Sequence, residues 1–67
     1  MNPRKLLLMT AARFREAGIL DPENDSALLL SSVCCRPPLS LRLDTETELD
    51  REILARYASL VEQRLTR

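Results

Sequence analysis

DPENDSALLLSSVC, residues 21–34, is the segment from which the fold is best predicted. Asp21 can cap the start of a helix, and Pro22 suits the first helical position because its φ is fixed and its missing N–H is not needed there. Glu23 and Asp25 place negative charge in the first turn, where the helix dipole favours it. A helical period follows, in which Leu28 widens the apolar face formed by Ser26, Leu29, Leu30 and Val33. A helix this apolar must be covered by other helices, so we expect it to be the central one.

A first helix is predicted upstream, with Asn2 as its cap and Pro3 at its first position. Gly18 is placed to end it, as the residue after the C-cap. A core-facing stripe with 4, 3, 4 spacing is formed by Leu7, Ala11, Phe14 and Gly18, flanked by Leu8 and Ala17. Arg4, Arg13 and Glu16 are expected on the solvent side.

Pro37 and Pro38 stop the central helix, because the residue before a proline is pushed out of the α region. The next apolar residues, Leu39, Leu41 and Leu43, alternate with polar ones in the pattern of a strand. A lone strand would leave its hydrogen bonds unmade, because no second strand is predicted. We therefore expect one or two turns of helix at 39–43.

A polar, acidic loop is predicted from Asp44 to Glu48, followed by a last helix capped by Asp50. Leu49 and Leu54 have the spacing of a hydrophobic staple across the start of this helix. The helical period continues through Ile53, Tyr57, Leu60, Val61 and Arg64, while Glu62, Gln63 and Arg67 face water. The fold class is therefore all-α, a small bundle of four or five helices in one domain, residues 1–67.

Composition limits the classes of function. The 67 residues are 45% hydrophobic with two aromatics, which favours a helical bundle with an aliphatic core. Ten basic and ten acidic residues balance, so direct nucleic-acid binding is not expected, and this weighs against a DNA-binding helix-turn-helix domain. No segment approaches the length of apolar sequence needed to span a bilayer. We expect a cytoplasmic protein with no membrane partner.

Residues able to carry chemistry are few. The sequence has no histidine, and Gly18 is its only glycine, so it offers neither a proton shuttle near neutral pH nor a glycine-rich phosphate loop. Cys34 and Cys35 are adjacent and are interpreted as small apolar residues at a helix end. The carboxylates Asp44, Glu46, Glu48 and Asp50 are interpreted as a solvated, helix-capping run. No catalytic, cofactor-binding or metal site is predicted in this chain.

Several of these segments carry a family resemblance. Ala17-Gly18-Ile19, Asp21-Pro22, Asp25, Leu28-Leu29-Leu30 and Val33 form a pattern that resembles the N-terminal helical domain of bacterial release factor glutamine methyltransferases. The later Leu49, Leu60-Val61-Glu62 and Arg64 are similar to the last helix of that domain. The chain departs from the family at Ser26, where alanine is usual, and at Cys35, where a glycine commonly ends the helix.

The resemblance implies that the parent enzyme methylates the glutamine of the release factor's Gly-Gly-Gln loop. In the family a following Rossmann-like domain holds S-adenosylmethionine in a glycine-rich loop and receives the glutamine at an Asn-Pro-Pro-Tyr motif. Neither motif occurs here, so no methyl-transfer residue can be carried over and this chain alone is not expected to be an enzyme. The sequence stops at Arg67, about where the family's linker begins, and we interpret it as an excised domain or a truncated product.

The resemblance also implies partners, namely a peptide chain release factor and the missing catalytic domain. Arginine supplies directional, charge-assisted hydrogen bonds and is enriched at interfaces. The candidate partner-binding residues are Arg13, Arg36, Arg42 and Arg64, with Arg15, Arg51 and Arg56 as further surface arginines. The alternative interpretation is a stand-alone helical adaptor or dimerisation module whose exposed apolar face binds a partner helix.

Overall fold

The computed structural model describes residues 1–66 and contains four helices in that range. They are α1 (Pro3–Glu16), α2 (Pro22–Cys34), α3 (Pro38–Leu43) and α4 (Arg51–Leu65). The all-α prediction is confirmed, and the count is the lower of the two expected. The expectation that Arg67 faces water lies outside the described residues. Within residues 1–66, no helix combines the length and apolar character that crossing a membrane would require.

Helix α1 begins and ends as its sequence predicts. The Asn2 side chain accepts a hydrogen bond from the Lys5 N–H at 2.8 Å, and Pro3 occupies the first helical position. Ala17 is the C-cap, and Gly18 follows with φ +83°, a left-handed conformation that glycine adopts without steric cost. A short connection therefore joins α1 to α2.

Helix α2 is the central helix, because it packs against α1, α3 and α4. Pro22 is at its first position and Glu23 and Asp25 lie in its first turn. The predicted cap is wrong in one respect: Asp21 occupies the N-cap position, but its side chain makes no capping hydrogen bond. The proline and the first-turn carboxylates remain as the local features that favour the start of this helix.

The end of α2 requires an unusual backbone conformation. Cys35 has φ +57° and ψ +39°, the left-handed region, and its N–H donates to the Ser31 carbonyl at 2.8 Å. This is the position at which glycine is favoured, because a side chain there crowds the backbone. Cys34 is half-buried as expected, whereas the Cys35 side chain is exposed.

We expect Cys35→Gly to raise the free energy of unfolding by about 0.5–1 kcal/mol, because relief of left-handed strain outweighs the greater entropy of glycine in the unfolded chain. Urea unfolding followed by circular dichroism measures the change. Cys35→Ala is the matched control, since it removes the thiol but keeps Cβ. Equal stabilities for the two variants would show that strain at this position is not the cause.

Residues 39–43 are helical, which confirms the choice of helix over strand. Leu41 is fully buried, whereas Leu39 and Leu43 on the same short helix are each 65% exposed. The alternation of leucine with polar residues is therefore not a strand pattern. These residues form a six-residue helix, and only one side of that helix packs against the core. The Arg4 N–H donates to the Asp44 carbonyl at 3.0 Å and fixes the end of α3 against the start of α1.

Helix α4 is capped by Asp50, whose carboxylate accepts a hydrogen bond from the Ile53 N–H at 2.9 Å. Leu49 before the cap is buried, and Leu54 packs against the same core from the first turn of α4, as a hydrophobic staple requires. The Leu49 N–H also donates to the Met1 carbonyl at 3.1 Å. The prediction of how this helix begins is confirmed.

One core joins all four helices, and it consists of Leu7, Phe14, Ala27, Leu30, Leu41, Leu49, Tyr57 and Val61. Several residues predicted to contribute to the core are absent from this buried cluster. Leu28 is 50% exposed and Leu8 is 59% exposed, because α2 and α1 are rotated so that neighbouring positions face the core instead. Ala17 and Gly18 are exposed as well, and Leu29 and Val33 are only partly buried.

Tyr57 connects the core of α4 to the backbone of α2. Its hydroxyl donates a hydrogen bond to the Ser26 carbonyl at 3.1 Å, and both residues are buried. Ser26 in turn donates through Oγ to the Glu23 carbonyl at 3.0 Å, so its buried hydroxyl has a hydrogen-bond partner. Burial, opposed in part by a hydrogen bond with Thr10, raises the pKa of Tyr57 to about 12. The phenol therefore stays neutral at physiological pH.

Candidate functional site

Two of the predicted partner-binding arginines form ion pairs between helices. Arg13 on α1 pairs with Glu62 on α4 at 2.8 Å. Arg64 on α4 pairs with Asp25 on α2 at 3.0 Å. All four side chains keep contact with water, so these pairs contribute little stability individually. They do fix the positions of the two guanidinium groups on the surface.

Arg36 organises the connection between α2 and α3. Its guanidinium donates to the Asp44 carboxylate at 2.9 Å and to the Ser40 hydroxyl at 2.7 Å. Asp44 also accepts from the hydroxyl and N–H of Thr47 and from the Glu46 N–H. These hydrogen bonds, those from Thr47 first, hold the pKa of the Asp44 carboxyl well below its ordinary value. The cluster fixes the acidic loop that leads to α4.

This cluster predicts a dependence of stability on pH. The folded-state pKa of Asp44 lies below its unfolded value of about 3.9, so its stabilisation is present above about pH 4 and is lost as the pH falls toward the folded-state pKa. We expect Asp44→Asn to flatten the pH dependence of the unfolding free energy below about pH 4. Urea unfolding at a series of acidic pH values measures this slope.

The matched control is Glu46→Gln in the same loop, where the side chain is exposed and makes no hydrogen bond within residues 1–66. It is expected to leave the slope close to that of the wild type. Parallel pH profiles for wild type and Asp44→Asn would contradict the role given to Asp44.

Arg42 differs from the other three candidate arginines because none of the five ion pairs found within residues 1–66 includes it. It lines a groove between α1 and α3, with the start of α2 at its base. The groove has a volume of about 360 Å³ and is lined by Arg4, Leu7, Leu8, Glu23, Ser26, Leu39, Arg42 and Leu43. We call it the α1–α3 groove. It combines exposed leucine side chains with two arginines.

Arg64 lines a different groove, of about 440 Å³, beside the connection between α1 and α2 and the end of α4. Leu20 in this connection is fully exposed, so the predicted apolar connector is buried only at Ile19, and there only in part. Arg42 and Arg64 therefore lie on separate surfaces. The four arginines predicted from the sequence do not line one groove.

The remaining candidate groups have local structural contacts. Glu48 pairs with the amino terminus, and Asp50 caps α4. Burial raises the pKa of the Cys34 thiol, and the nearby Arg36 opposes this effect. Among residues 1–66, no three side chains of histidine, cysteine, aspartate or glutamate are grouped so that they could hold a metal ion.

Sequence reasoning missed most of the α1–α3 groove. Arg4 and Leu8 were assigned only to the solvent side and the flank of the core stripe, and Leu39 and Leu43 only to a helical turn. One signal was available: leucines at 39, 41 and 43 cannot all face inward from a helix of two turns. The position of the groove itself depends on the packing of α3 against α1, which no local pattern specifies.

The fold and these surfaces define a small all-α domain that presents grooves between its helices. Residues 5–67 match the family model described as the PrmC N-terminal domain, and the chain belongs to this family. PrmC is the release factor glutamine methyltransferase, so the resemblance inferred from the sequence is confirmed and the chain is a methyltransferase-associated helical domain. Comparisons with curated proteins and with solved structures give no match.

Proposed function

We propose that this chain is the release factor recognition domain of a protein-(glutamine-N5) methyltransferase. The observation that carries the proposal is the match of residues 5–67 to the PrmC N-terminal domain. In this proposal residues 1–67 are one domain that precedes a catalytic domain. The catalytic domain binds S-adenosylmethionine and methylates the glutamine of the Gly-Gly-Gln loop in the cytoplasm. This domain supplies no reacting group.

The physical reason for such a domain is that contacts far from the reacting atoms can position a protein substrate. Binding energy from a remote surface holds the target glutamine at the catalytic pocket and reduces the entropy cost of aligning it. A rigid surface serves this purpose better than a mobile one. The hydrogen-bonded cap of α4 and the single core shared by all four helices support rigidity here.

The direct test is binding of the 67-residue chain to a purified peptide chain release factor, measured by isothermal titration calorimetry. We expect saturable binding with one domain per release factor. The control is a release factor in which the Gly-Gly-Gln glutamine is changed to alanine. It should bind equally well, because the recognition surface lies away from the reacting side chain. Absence of binding would overturn the proposal.

The test in the enzyme compares two substrates with and without this domain. Deletion is expected to lower kcat/KM for the intact release factor by more than about tenfold, since a loss of about 1.4 kcal/mol in transition-state binding has that effect. A short peptide containing Gly-Gly-Gln is the control and should lose no more than a few fold. A change of only a few fold with the intact release factor would show that docking is not the role of the domain.

The alternative, an adaptor or dimerisation module, is favoured by the exposed leucines Leu8, Leu39 and Leu43. Sedimentation velocity distinguishes the two, because the recognition domain is expected to be a monomer at micromolar concentration. A stable dimer would favour the adaptor.

A further inference from the structure

The α1–α3 groove has an apolar rim and a preformed base. Leu8 is 59% exposed, and Leu39 and Leu43 are each 65% exposed, although all three line the same groove. The base contains Leu7 and Ser26, which are buried. At about 360 Å³, the groove is near the lower end of the roughly 300–1,000 Å³ typical of ligand pockets, which suits a few aliphatic side chains.

The walls of the groove are held in place by contacts of α3 with the core and with the start of α1. Leu41, between the two exposed leucines of α3, is fully buried in the core. The hydrogen bond from the Arg4 N–H to the Asp44 carbonyl joins the end of α3 to α1. A partner would therefore not have to order this surface before binding, and preorganisation of this kind favours affinity.

The uncompensated charge at the groove is positive. Arg4 and Arg42 line it, and within the described part of the chain neither side chain forms an ion pair. Glu23 also lines it, but its carboxylate is paired with Arg15. Although the chain as a whole has no net charge, this groove presents two arginines beside three leucines. Its complement is an apolar surface bordered by carboxylates.

We propose that the α1–α3 groove binds an amphipathic segment of the release factor whose apolar side chains are flanked by aspartate or glutamate. This inference rests on the proposed function and adds the docking surface and the chemistry of the segment that it recognises. The aliphatic side chains of the segment contact Leu8, Leu39 and Leu43. Its carboxylates accept charge-assisted hydrogen bonds from Arg42 and Arg4.

A protein segment fits this groove better than a nucleic acid. Nucleic-acid surfaces combine extended rows of basic residues with aromatic side chains on which bases stack. The groove has two arginines and no aromatic side chain among its lining residues. Its exposed leucines would gain nothing from contact with phosphates, whereas burial by an apolar partner is favourable.

The test compares charge reversals on two faces of the chain. Arg42→Glu reverses a charge in the α1–α3 groove, and Arg56→Glu makes the same change on α4, where Arg56 lines another groove beside Ser32 and Leu60. The two variants have equal net charge, so general attraction affects both alike. We expect Arg42→Glu to weaken release factor binding by at least about tenfold in Kd and Arg56→Glu by less than about twofold.

A second variant tests the apolar contacts without changing charge. Leu39→Ala removes exposed apolar surface and is expected to weaken binding by about fivefold or more. Circular dichroism and thermal unfolding of each variant, compared with the wild type, verify that the fold is retained. Calorimetry with the intact release factor gives the affinities.

The outcomes separate the two proposals. If the wild type binds and neither Arg42→Glu nor Leu39→Ala weakens binding, the α1–α3 groove is not the docking surface. The proposed recognition function then still stands. Equal weakening of release factor binding by Arg42→Glu and Arg56→Glu also overturns the proposal for the groove, because it indicates general charge attraction. If an RNA oligonucleotide binds the wild type directly but not Arg42→Glu, and Leu39→Ala leaves release factor binding unchanged, the groove takes a nucleic acid and the proposal is wrong. Absence of wild-type binding overturns both proposals.

Discussion

Leu30→Ala is expected to lower the free energy of unfolding by about 2–5 kcal/mol, the range measured for buried leucines. Leu30 is fully buried on α2, the helix that packs against the other three. The change removes apolar contacts and leaves a cavity bordered by side chains from several helices, which cannot all move to fill it. Urea unfolding followed by far-ultraviolet circular dichroism measures the loss.

Leu28→Ala is the matched control, with the same chemical change two residues earlier on the same helix. Leu28 is 50% exposed, so its truncation is expected to cost less than about 1 kcal/mol. Similar losses in the two variants, or a larger loss at Leu28, would mean that α2 is rotated about its axis relative to the described fold.

Phe14→Ala is expected to cost about 3–5 kcal/mol. Phe14 is the only phenylalanine, is fully buried, and lies in the core that joins all four helices. At about 0.05–0.15 kcal/mol per residue, the whole stability of a domain of this size is about 3–10 kcal/mol. Thermal unfolding of Phe14→Ala should therefore show a midpoint temperature far below that of the wild type, or no cooperative transition at all.

The control for Phe14 keeps most of the apolar volume. Phe14→Leu is expected to retain a cooperative transition and to lose roughly 1–2 kcal/mol, since the removed volume is smaller. An unfolding curve for Phe14→Ala that coincides with the wild type would show that the centre of the core lies elsewhere.

The sequence predicts the helices well because most of their boundaries are determined by nearby residues. Asn2 and Asp50 each cap a helix through a hydrogen bond to an N–H three residues away. Pro3, Pro22 and Pro38 each start a helix. These signals depend on contacts within one turn, so the linear order of the residues contains them.

Which side of each helix is buried was harder to predict. Helix α2 contains three consecutive leucines, and a helical period admits more than one choice of buried face for such a run. In the structure Leu30 and Ala27 are buried, whereas Leu28 is half exposed. The choice depends on where α1, α3 and α4 pack against α2, which is a property of the assembled chain. Leu8 on α1 was misplaced for the same reason.

The surroundings of the surface arginines could be predicted only in part. The ion-pair partners of Arg13 and Arg64 lie 49 and 39 residues away in the sequence, so no local pattern reveals them. Their ion pairs appear only after α4 has packed against α1 and α2. Arg42 differs from them, because the folded chain leaves it in a groove beside three exposed leucines.

The left-handed residue at the end of α2 affects how the experiments on this chain must be performed. Cys35 is exposed, and an accessible thiol can be oxidised to a disulfide between two molecules in air-saturated buffer. Such a covalent dimer would sediment like a helical adaptor although no apolar face holds it together. Measurements in the presence of a reductant, or on Cys35→Gly, distinguish the two species. The substitution that is expected to relax the backbone at the end of α2 would thus also remove the exposed thiol.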